Sequence, residues 1–295
     1  MLKLLFIDTN IYLDFYRIRN ESKTSFLEHL EAIKDSLIIT DQVEMEFKKN
    51  RQSAILEGMQ ELKVPNKINV PAILKNEETA TALEKDHKKI KEKVQVLKKR
   101  LDEVLEEPEI HDKVYQVLQR IFSKHQEIDL YNKHLKYHEI KELAKERFLL
   151  GYPPRKKNDT SIGDAINWEW LIEVAEIKNA EIWIVSRDSD YGTLQENKGF
   201  LNDWLKQEFR ERTPKNTKMY LCPKLSIALR EFEISVTEEE EKEEKRIISE
   251  VVKLSSNRSN VSLGDTVTFT ILRRCVDCGS TFEALGDERL CNECI

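Results

Sequence analysis

The sequence has no long apolar run: none of its 295 residues falls in a stretch of about 18 apolar residues, the length that a membrane-spanning helix requires. The N-terminus also lacks the basic region and the small-residue cleavage site of a secretory signal peptide. We therefore expect a cytoplasmic protein without a membrane partner. A surplus of basic residues is missing too, because the net charge is −6. This balance argues against a generally basic nucleic-acid binder, but it is compatible with a local basic patch.

The chain is rich in charge and longer than one typical domain. Charged residues make up 35% of it and hydrophobic residues 40%, enough for a core beneath a large solvated surface. We therefore expect more than one structural part.

Asp8 directly follows the first apolar run, MLKLLFI, which is interrupted only by Lys3 and is long enough for a buried parallel strand. The next residues, IYLDFYRI, have helical spacing. Ligands of open α/β sheets bind outside the carboxyl ends of the strands, so Asp8 lies where chemistry is expected. The alternative is an ordinary helix N-cap, because Asp, Thr and Asn all cap well.

Three further acidic motifs lie where a strand-like run ends or a helix begins. They are DQVEMEF with Glu46, IGDAINWEWL with Asp164, and WIVSRDSDYG with Asp188. The last repeats the arrangement of the first, because a β-rich run over residues 180–186 ends just before Asp188. Mg²⁺ and Mn²⁺ take oxygen ligands and share the rest of their shell with water and phosphates. The four motifs therefore predict a metal-dependent phosphodiesterase, in practice a nuclease.

In combination and order these motifs resemble the PIN domain, a nuclease fold related to flap endonucleases. The resemblance covers roughly residues 1–58 and 150–235 and implies an α/β fold with a parallel sheet flanked by helices. It also implies an Mg²⁺- or Mn²⁺-dependent endonuclease, with RNA favoured over DNA as the nucleic-acid substrate. The implied catalytic and metal-binding residues are Asp8, Glu46, Asp164 and Asp188. The implied supporting residues are Thr9, Asn10 and Asn50.

Three carboxylates near these positions leave alternatives open. Asp41 and Glu44 have the spacing of a capping box, which would give Glu44 a structural role and leave Glu46 for the metal. Asp190 would assist Asp188 or replace it. Asp159 is either a supporting residue close to Asp164 or the first residue of an Asx-turn in a loop.

Basic residues adjoin the acidic motifs. The loop GYPPRKKNDT, residues 151–160, carries three of them directly before the third motif. A basic loop beside a carboxylate cluster is well placed to meet phosphates. The candidates for substrate contact are Arg51, Arg155, Lys156, Lys157 and Arg187. Arg187 could instead be a charge partner that lowers the pKa of Asp188.

Residues 59–149 form an insertion that a minimal PIN domain would not need. From Ile90 to Val104 the apolar residues follow the a/d spacing of a coiled coil, and Pro108 ends that helix. Two more amphipathic segments follow, which predicts a helical hairpin arm with a return helix. The basic run of the first helix, residues 87–100, could lie along a nucleic-acid backbone. Alternatively, it could be the solvated face of a helix whose apolar a/d residues, here called the seam, pack on a second helix of the arm. A protein partner or a second copy could dock on this arm or on the zinc ribbon that the C-terminal residues predict.

The C-terminal part begins with an acidic block, residues 236–248, that we interpret as a solvated linker or an exposed helix start. Residues 249–295 then contain two Cys-x-x-Cys motifs. Four thiolates on two tight turns suit structural, tetrahedral Zn²⁺, and this pattern predicts a small zinc-ribbon β module. The predicted zinc ligands are Cys275, Cys278, Cys291 and Cys294. A pair of disulfides is the alternative, which a reducing compartment disfavours.

Two classes of function follow from these patterns. The first is a metal-dependent nuclease that acts as a toxin, in RNA processing or in phage defence. The second is a catalytically inactive PIN-like module that binds nucleic acid or a protein. Four retained acids favour the first class, because an inactive module is free to lose any of them.

Overall fold

A computed structural model describes residues 1–18, 20, 22–59, 64–65, 67–155, 161–260, 271–274 and 281–284. The chain divides into two compact units, Met1–Ile247 and Ile248–Ile295. The strands of the described residues are β1 (Lys3–Ile7), β2 (Leu37–Ile38), β3 (Glu181–Val185), β4 (Gly192–Gln195), β5 (Lys198–Leu201), β6 (Met219–Cys222), β7 (Ile271–Arg274) and β8 (Thr281–Ala284). The helices are α1 (Thr9–Asp14), α2 (Ser22–Ala32), α3 (Asp41–Met59), α4 (Glu78–Glu106), α5 (Pro108–His111), α6 (Lys113–Phe122), α7 (Tyr137–Leu150), α8 (Gly163–Lys178), α9 (Asp203–Arg212), α10 (Leu225–Glu231) and α11 (Glu238–Asn260).

The centre of the first unit is a parallel sheet with strand order β2-β1-β3-β6. Residues 4–7 of β1 are all buried, as expected for a strand covered on both faces. Ile7 pairs with Val185, and Val185 pairs with Cys222, so β1, β3 and β6 end at the same level. Helices flank the sheet, and the predicted α/β class with a parallel sheet is confirmed. A short antiparallel hairpin, β4–β5, follows β3.

Helix α8 is apolar nearly all round and lies in the core. Trp168, Trp170 and Leu171 are among its buried residues, and the helix ends at Asn179 in the left-handed conformation with φ of 47°. Because its first turn carries Asp164, the packing of α8 fixes where that carboxylate lies. No helix in the described part of the chain combines the length and the apolar character that crossing a membrane would require.

The predicted insertion consists of two physically different parts. The seam of α4 is exposed: Ile90 is 50% and Leu97 51% accessible, and the described residues provide no partner helix for it. Helices α6 and α7, in contrast, contribute Leu118 and Ile140 to the same core that contains β1 and α8. The amphipathic pattern found all three helices, but it does not specify what an apolar face packs against. Coiled-coil pairing within the described chain is therefore not seen.

We expect this division to appear in the stability of single variants. Leu118→Ala, in the core, should lower the free energy of unfolding by about 2–5 kcal/mol, because it leaves a cavity. Leu97→Ala, on the exposed seam, should change it by no more than about 0.5 kcal/mol. Urea unfolding of both variants measures the difference. Equal losses would mean that the seam of α4 is buried in solution, for example in a dimer.

The acidic segment 236–248 is a docked helix start and not a solvated linker. Glu240, Glu243 and Glu244 are at most 8% exposed. Glu244 accepts hydrogen bonds from the backbone N–H groups of Leu225 and Ser226, and so satisfies the N-terminus of α10. The charge run predicted solvation because the sequence alone does not reveal that a distant helix end requires an acceptor.

In the second unit the structure describes an antiparallel hairpin, β7–β8, with Arg274 paired to Thr281. The four predicted zinc ligands, Cys275, Cys278, Cys291 and Cys294, lie outside the described residues, so the zinc ribbon stays a prediction. The fifth cysteine, Cys222, is a free thiol buried in the first unit, as expected for an inert core residue, and burial raises its pKa to about 12.

Candidate metal centre

Asp8 lies at the carboxyl end of β1, and its backbone N–H donates to the carbonyl of Val185 at 2.9 Å. It occupies the N-cap position of α1, but its side chain makes no capping hydrogen bond. Its Oδ2 instead accepts hydrogen bonds from Ser186 Oγ at 2.6 Å and from Asn10 Nδ2 at 2.8 Å. Helix capping therefore does not explain this carboxylate, which turns towards the end of the neighbouring strand β3.

Glu46 reaches the same end of the sheet from α3. Its Oε2 accepts from Thr9 Oγ1 at 3.2 Å, and its Oε1 accepts from Gln42 Nε2 at 2.6 Å. The bond with Thr9 joins Glu46 to the residue that follows Asp8. Two elements far apart in the chain thus deliver carboxylates to neighbouring positions.

Glu44 points elsewhere, and the predicted capping box is not formed. Glu44 Oε1 accepts from Lys48 Nζ at 2.7 Å. The cap of α3 is Thr40, whose Oγ1 accepts from the backbone N–H of Val43 at 3.1 Å, while Asp41 accepts from the Tyr137 hydroxyl. Glu44 is thus occupied by a lysine on its own helix and not by a cap.

Asp164 and Asp188 complete the set from two further elements. Asp164 is in the first turn of α8, directly after Gly163, which lies against Glu46 and Gln42. Asp188 follows β3, and its backbone N–H donates to Ser186 Oγ at 3.0 Å. Ser186 therefore links two acids, because the same hydroxyl donates to Asp8 and accepts from Asp188.

The charges of all four carboxylates act on one buried tyrosine, Tyr191. Tyr191 is fully buried, and its hydroxyl has no hydrogen-bond partner in the part of the chain that the structure describes. Burial raises the pKa of Tyr191 well above its ordinary value, and the next causes are the negative charges of Asp164, Asp8, Asp188 and Glu46. Acids from β1, α3, α8 and the end of β3 thus lie within electrostatic range of a single point.

The cluster disfavours ionisation of its most buried member. The pKa of Asp8 is raised to about 6, first by burial and then by the charges of Asp188 and Glu46. The hydrogen bonds from Ser186 and from the Thr9 backbone oppose this rise without cancelling it. A positive charge placed between these groups would relieve the repulsion.

The oxygen chemistry of the cluster fits a hard divalent cation. Besides the carboxylates, Asn10 Oδ1 and the Tyr191 hydroxyl are buried oxygens without a partner among the described residues. Mg²⁺ and Mn²⁺ prefer such oxygen donors. Among the described residues, however, no group of three or more His, Cys, Asp or Glu side chains is placed where it could hold a metal ion. Asp8 and Glu46 are held instead by hydrogen bonds to Ser186, Thr9 and Gln42.

The remaining predicted residues lie in varied places. Arg51 is 3% exposed and donates to Asp112 at 2.8 Å and to the Val104 carbonyl at 2.6 Å, so the structure places it inside the fold and not in contact with solvent. Arg187 forms an ion pair with Asp14 and donates a hydrogen bond to the carbonyl oxygen of Asn10 at 3.3 Å.

Other candidates lie at the surface or outside the described chain. Asn50 is exposed on α3, and Arg155 stacks its guanidinium on Phe148 at 4.5 Å from the ring centre. Asp190 is partly buried, directly before Tyr191. Lys156, Lys157 and Asp159 lie outside the described residues.

Sequence reasoning gave no role to Gln42, Gly163, Ser186 or Tyr191. Gln42 precedes Glu46 by four residues, and side chains at this spacing on a helix contact each other. Their hydrogen bond could therefore have been predicted from the sequence. Ser186 ends a strand two residues before an acid, which was a weaker signal. The burial of Tyr191 depends on long-range packing and had no local signal.

Gly163 offers a specific test of the site. A Cβ there would lie 2.5 Å from Gln42 Nε2 and 2.7 Å from Glu46 Oε1, so Gly163→Ala must displace the flexible ends of both side chains. We expect cleavage to fall at least about tenfold, because holding a metal ligand in place has an effect of that size. The control is Gly58→Ala, where a Cβ meets nothing within 4 Å. Equal rates for the two variants, with both folded, would contradict the position assigned to Glu46.

Comparison with known proteins gives one match. The family model described as PIN domain matches residues 5–191, which is more than half of the chain and contains all four carboxylates. No match was found among curated proteins or among solved structures.

Proposed function

Because the chain belongs to the PIN domain family, we propose that it is a metal-dependent nuclease, with RNA favoured over DNA. PIN domains form a nuclease-type family, and a nucleic acid is accordingly the expected substrate. The observation that supports the proposal is the hydrogen-bonded position of Asp8 and Glu46 at one end of the sheet, together with the charges of these two acids and of Asp164 and Asp188 acting on the buried Tyr191. A mutually repelling cluster of this kind weakens folding unless a cation binds it.

We propose that the four carboxylates hold one or two Mg²⁺ or Mn²⁺ ions. A bound ion would act as a Lewis acid at the phosphate and lower the pKa of the attacking water. Hydrogen bonds from neighbouring residues hold two of these carboxylates in place. Ser186 positions Asp8, Thr9 and Gln42 position Glu46, and the buried hydroxyl of Tyr191 is a further oxygen without a partner among the described residues.

The test is cleavage of end-labelled single-stranded RNA and DNA of the same sequence by the full chain with Mn²⁺ or Mg²⁺. We expect internal cuts, with RNA cut faster. The alternative, an inactive module that binds nucleic acid or protein, predicts binding without cleavage. Faster cutting of DNA would retain the nuclease and overturn the RNA preference.

The exposed seam and the basic residues of α4 make this helix the most accessible docking element in the described chain. Residues 85–100 carry eight Lys and Arg against two Asp and Glu. Two copies paired through this stretch would bring like charges together. We therefore propose that α4 contacts nucleic acid or an acidic partner protein and does not form a homodimer.

For residues 249–295 we propose a structural zinc ribbon held by Cys275, Cys278, Cys291 and Cys294. So small a segment requires a metal to supply its folding free energy. We expect one equivalent of zinc by elemental analysis of the purified chain, its loss in Cys275→Ser, and undiminished cleavage of short substrates by that variant. Zinc-free protein would exclude the ribbon. Loss of cleavage in Cys275→Ser would instead place the ribbon in the active site.

A further inference from the structure

A cleft of about 570 Å³ runs along the outer edge of β6, the last strand of the sheet. Its floor is Met219–Cys222, and the hairpin β4–β5, the start of α9 and one face of α10 form its walls. The hairpin is held tightly against the strand, because a Cβ on Gly199 would lie 2.3 Å from the carbonyl oxygen of Leu221. The volume falls within the range of small-molecule sites, about 300–1,000 Å³.

Three aromatic side chains contribute to the lining of the cleft. Trp183 stacks on Tyr220 with ring centres 4.2 Å apart, and Phe200 adds a side chain that is 52% exposed. The indole N–H of Trp183 is shielded from solvent and has no acceptor among the described residues.

The rim of the cleft carries positive charge available to a ligand. Lys198 and Lys206 are exposed, and neither has an ion-pair partner in the described part of the chain. Two acids also line the cleft: Glu231, which Lys3 binds at 3.4 Å, and the exposed Asp203 at the start of α9. An aromatic surface with free lysines at its edge matches the way proteins bind single-stranded nucleic acid: bases stack on rings and phosphates meet cations.

The cleft begins next to the acidic cluster. Cys222, at one end of its floor, accepts a hydrogen bond from the backbone N–H of Ser186, whose hydroxyl holds Asp8. Cys222, Val185 and Ile7 lie at the same level on adjacent strands, so the floor ends about 10 Å from the end of β1. A strand cut at the carboxylates can therefore place a nearby base in the cleft.

We propose that this cleft binds an unpaired base of the substrate strand, beside the bond that is cut. The proposal rests on the proposed nuclease function and extends it by assigning a base-binding cleft at the edge of the sheet, outside the carboxylate cluster. A paired base cannot enter, because it is stacked within its own helix and only single-stranded bases are free to turn out onto a protein ring. Phe200 and Tyr220 are the stacking residues, and Lys206 contacts phosphate.

The test combines a protein change with a substrate change. The full chain and Phe200→Ala are assayed with Mn²⁺ on single-stranded RNA and on the same RNA with one abasic nucleotide at successive positions from the cut. For the unsubstituted chain, the abasic nucleotide at one position should lower kcat/KM by about 5- to 150-fold, the effect of losing one stacked base. On intact RNA, Phe200→Ala should have a lower kcat/KM than the unsubstituted chain because its KM is higher. In this variant, the abasic nucleotide should lower kcat/KM only slightly further.

Two control variants make the result specific. Trp204→Ala removes a neighbouring aromatic side chain that is 47% exposed and lies outside the lining, and it should behave as the unsubstituted chain does. Lys206→Gln should reduce the slope of log affinity against log salt by about one, whereas the exposed control Lys215→Gln should not. Equal kinetics for Phe200→Ala and Trp204→Ala, or a full abasic penalty remaining in Phe200→Ala, would overturn the proposal.

Failure of the nuclease function can be told apart from failure of the cleft. If the unsubstituted chain cuts neither RNA nor DNA with Mn²⁺ or Mg²⁺, the proposed function is wrong. Binding of the same labelled strands, measured by fluorescence anisotropy, then tests whether the cleft binds nucleic acid. Weaker binding by Phe200→Ala than by Trp204→Ala supports it, and equal binding excludes it. A cleft that binds free mononucleotides but is indifferent to the abasic strand would serve a separate ligand, which also contradicts the proposal.

Discussion

Replacing Asp8 with Asn is expected to lower cleavage more than about 100-fold, because even residues that only position metal ligands cost up to about that factor. Asn keeps the size of the side chain and can still accept the hydrogen bond from Ser186, so the fold should persist. Asp164→Asn should have the same effect from a different element. The measurement is the initial rate on labelled single-stranded RNA with Mn²⁺, with circular dichroism as a check of folding.

The matched control for these variants is Asp35→Asn, an exposed carboxylate just before β2 that lies outside both the acidic cluster and the lining of the proposed cleft. That variant should retain the cleavage rate at the acidic site. Full activity of Asp8→Asn would show that Asp8, the most buried of the four carboxylates, is not a metal ligand.

Asp8→Asn is also expected to stabilise the metal-free protein at neutral pH. The folded-state pKa of Asp8 is about 6, above the value near 3.9 of an unfolded chain. Between these values the folded state binds more protons than the unfolded state, so the free energy of unfolding falls as pH rises from about 4 to 6. The penalty is absent below about pH 4 and fully present at pH 7, where the difference in pKa corresponds to about 3 kcal/mol.

Urea unfolding in EDTA at pH 4 and pH 7 measures this effect. Asp8→Asn should gain up to about 3 kcal/mol over the unsubstituted chain at pH 7 and little at pH 4. Adding Mn²⁺ at pH 7 should stabilise the unsubstituted chain and leave Asp8→Asn nearly unchanged, since a ligand that binds only the folded state shifts its stability. A variant less stable than the unsubstituted chain at pH 7 would show that Asp8 is ionised and well satisfied without metal.

The placement of Asp8 and Asp188 could be predicted from the sequence for a physical reason. A buried parallel strand is a continuous apolar run, and its carboxyl end lies at a known edge of the sheet. Both runs are visible in the sequence, and β1 and β3 proved to be neighbours that end at the same level. The meeting of their acids follows from that geometry.

The role of Arg51 could not be predicted in the same way. Its position behind Glu46 suggested contact with substrate, yet its partner Asp112 lies 61 residues later in the chain. Asp112 also caps α6 by accepting from the backbone N–H of Tyr115 at 3.0 Å, so one carboxylate joins α3 to α6. A local sequence pattern does not reveal a contact between residues so far apart in the chain. For the same reason, the burial of Tyr191 and of Glu244 could not be predicted from their neighbours in the sequence.

The central claim is that the four carboxylates form one divalent-cation site, and the most direct measurement is Mn²⁺ binding followed by the electron paramagnetic resonance signal of free Mn²⁺. We expect the full chain to bind one or two Mn²⁺ ions saturably, Asp35→Asn to bind as the unsubstituted chain does, and Asp8→Asn and Asp188→Asn to lose that binding. No saturable binding by the unsubstituted chain, or equal binding by all four proteins, would contradict the account.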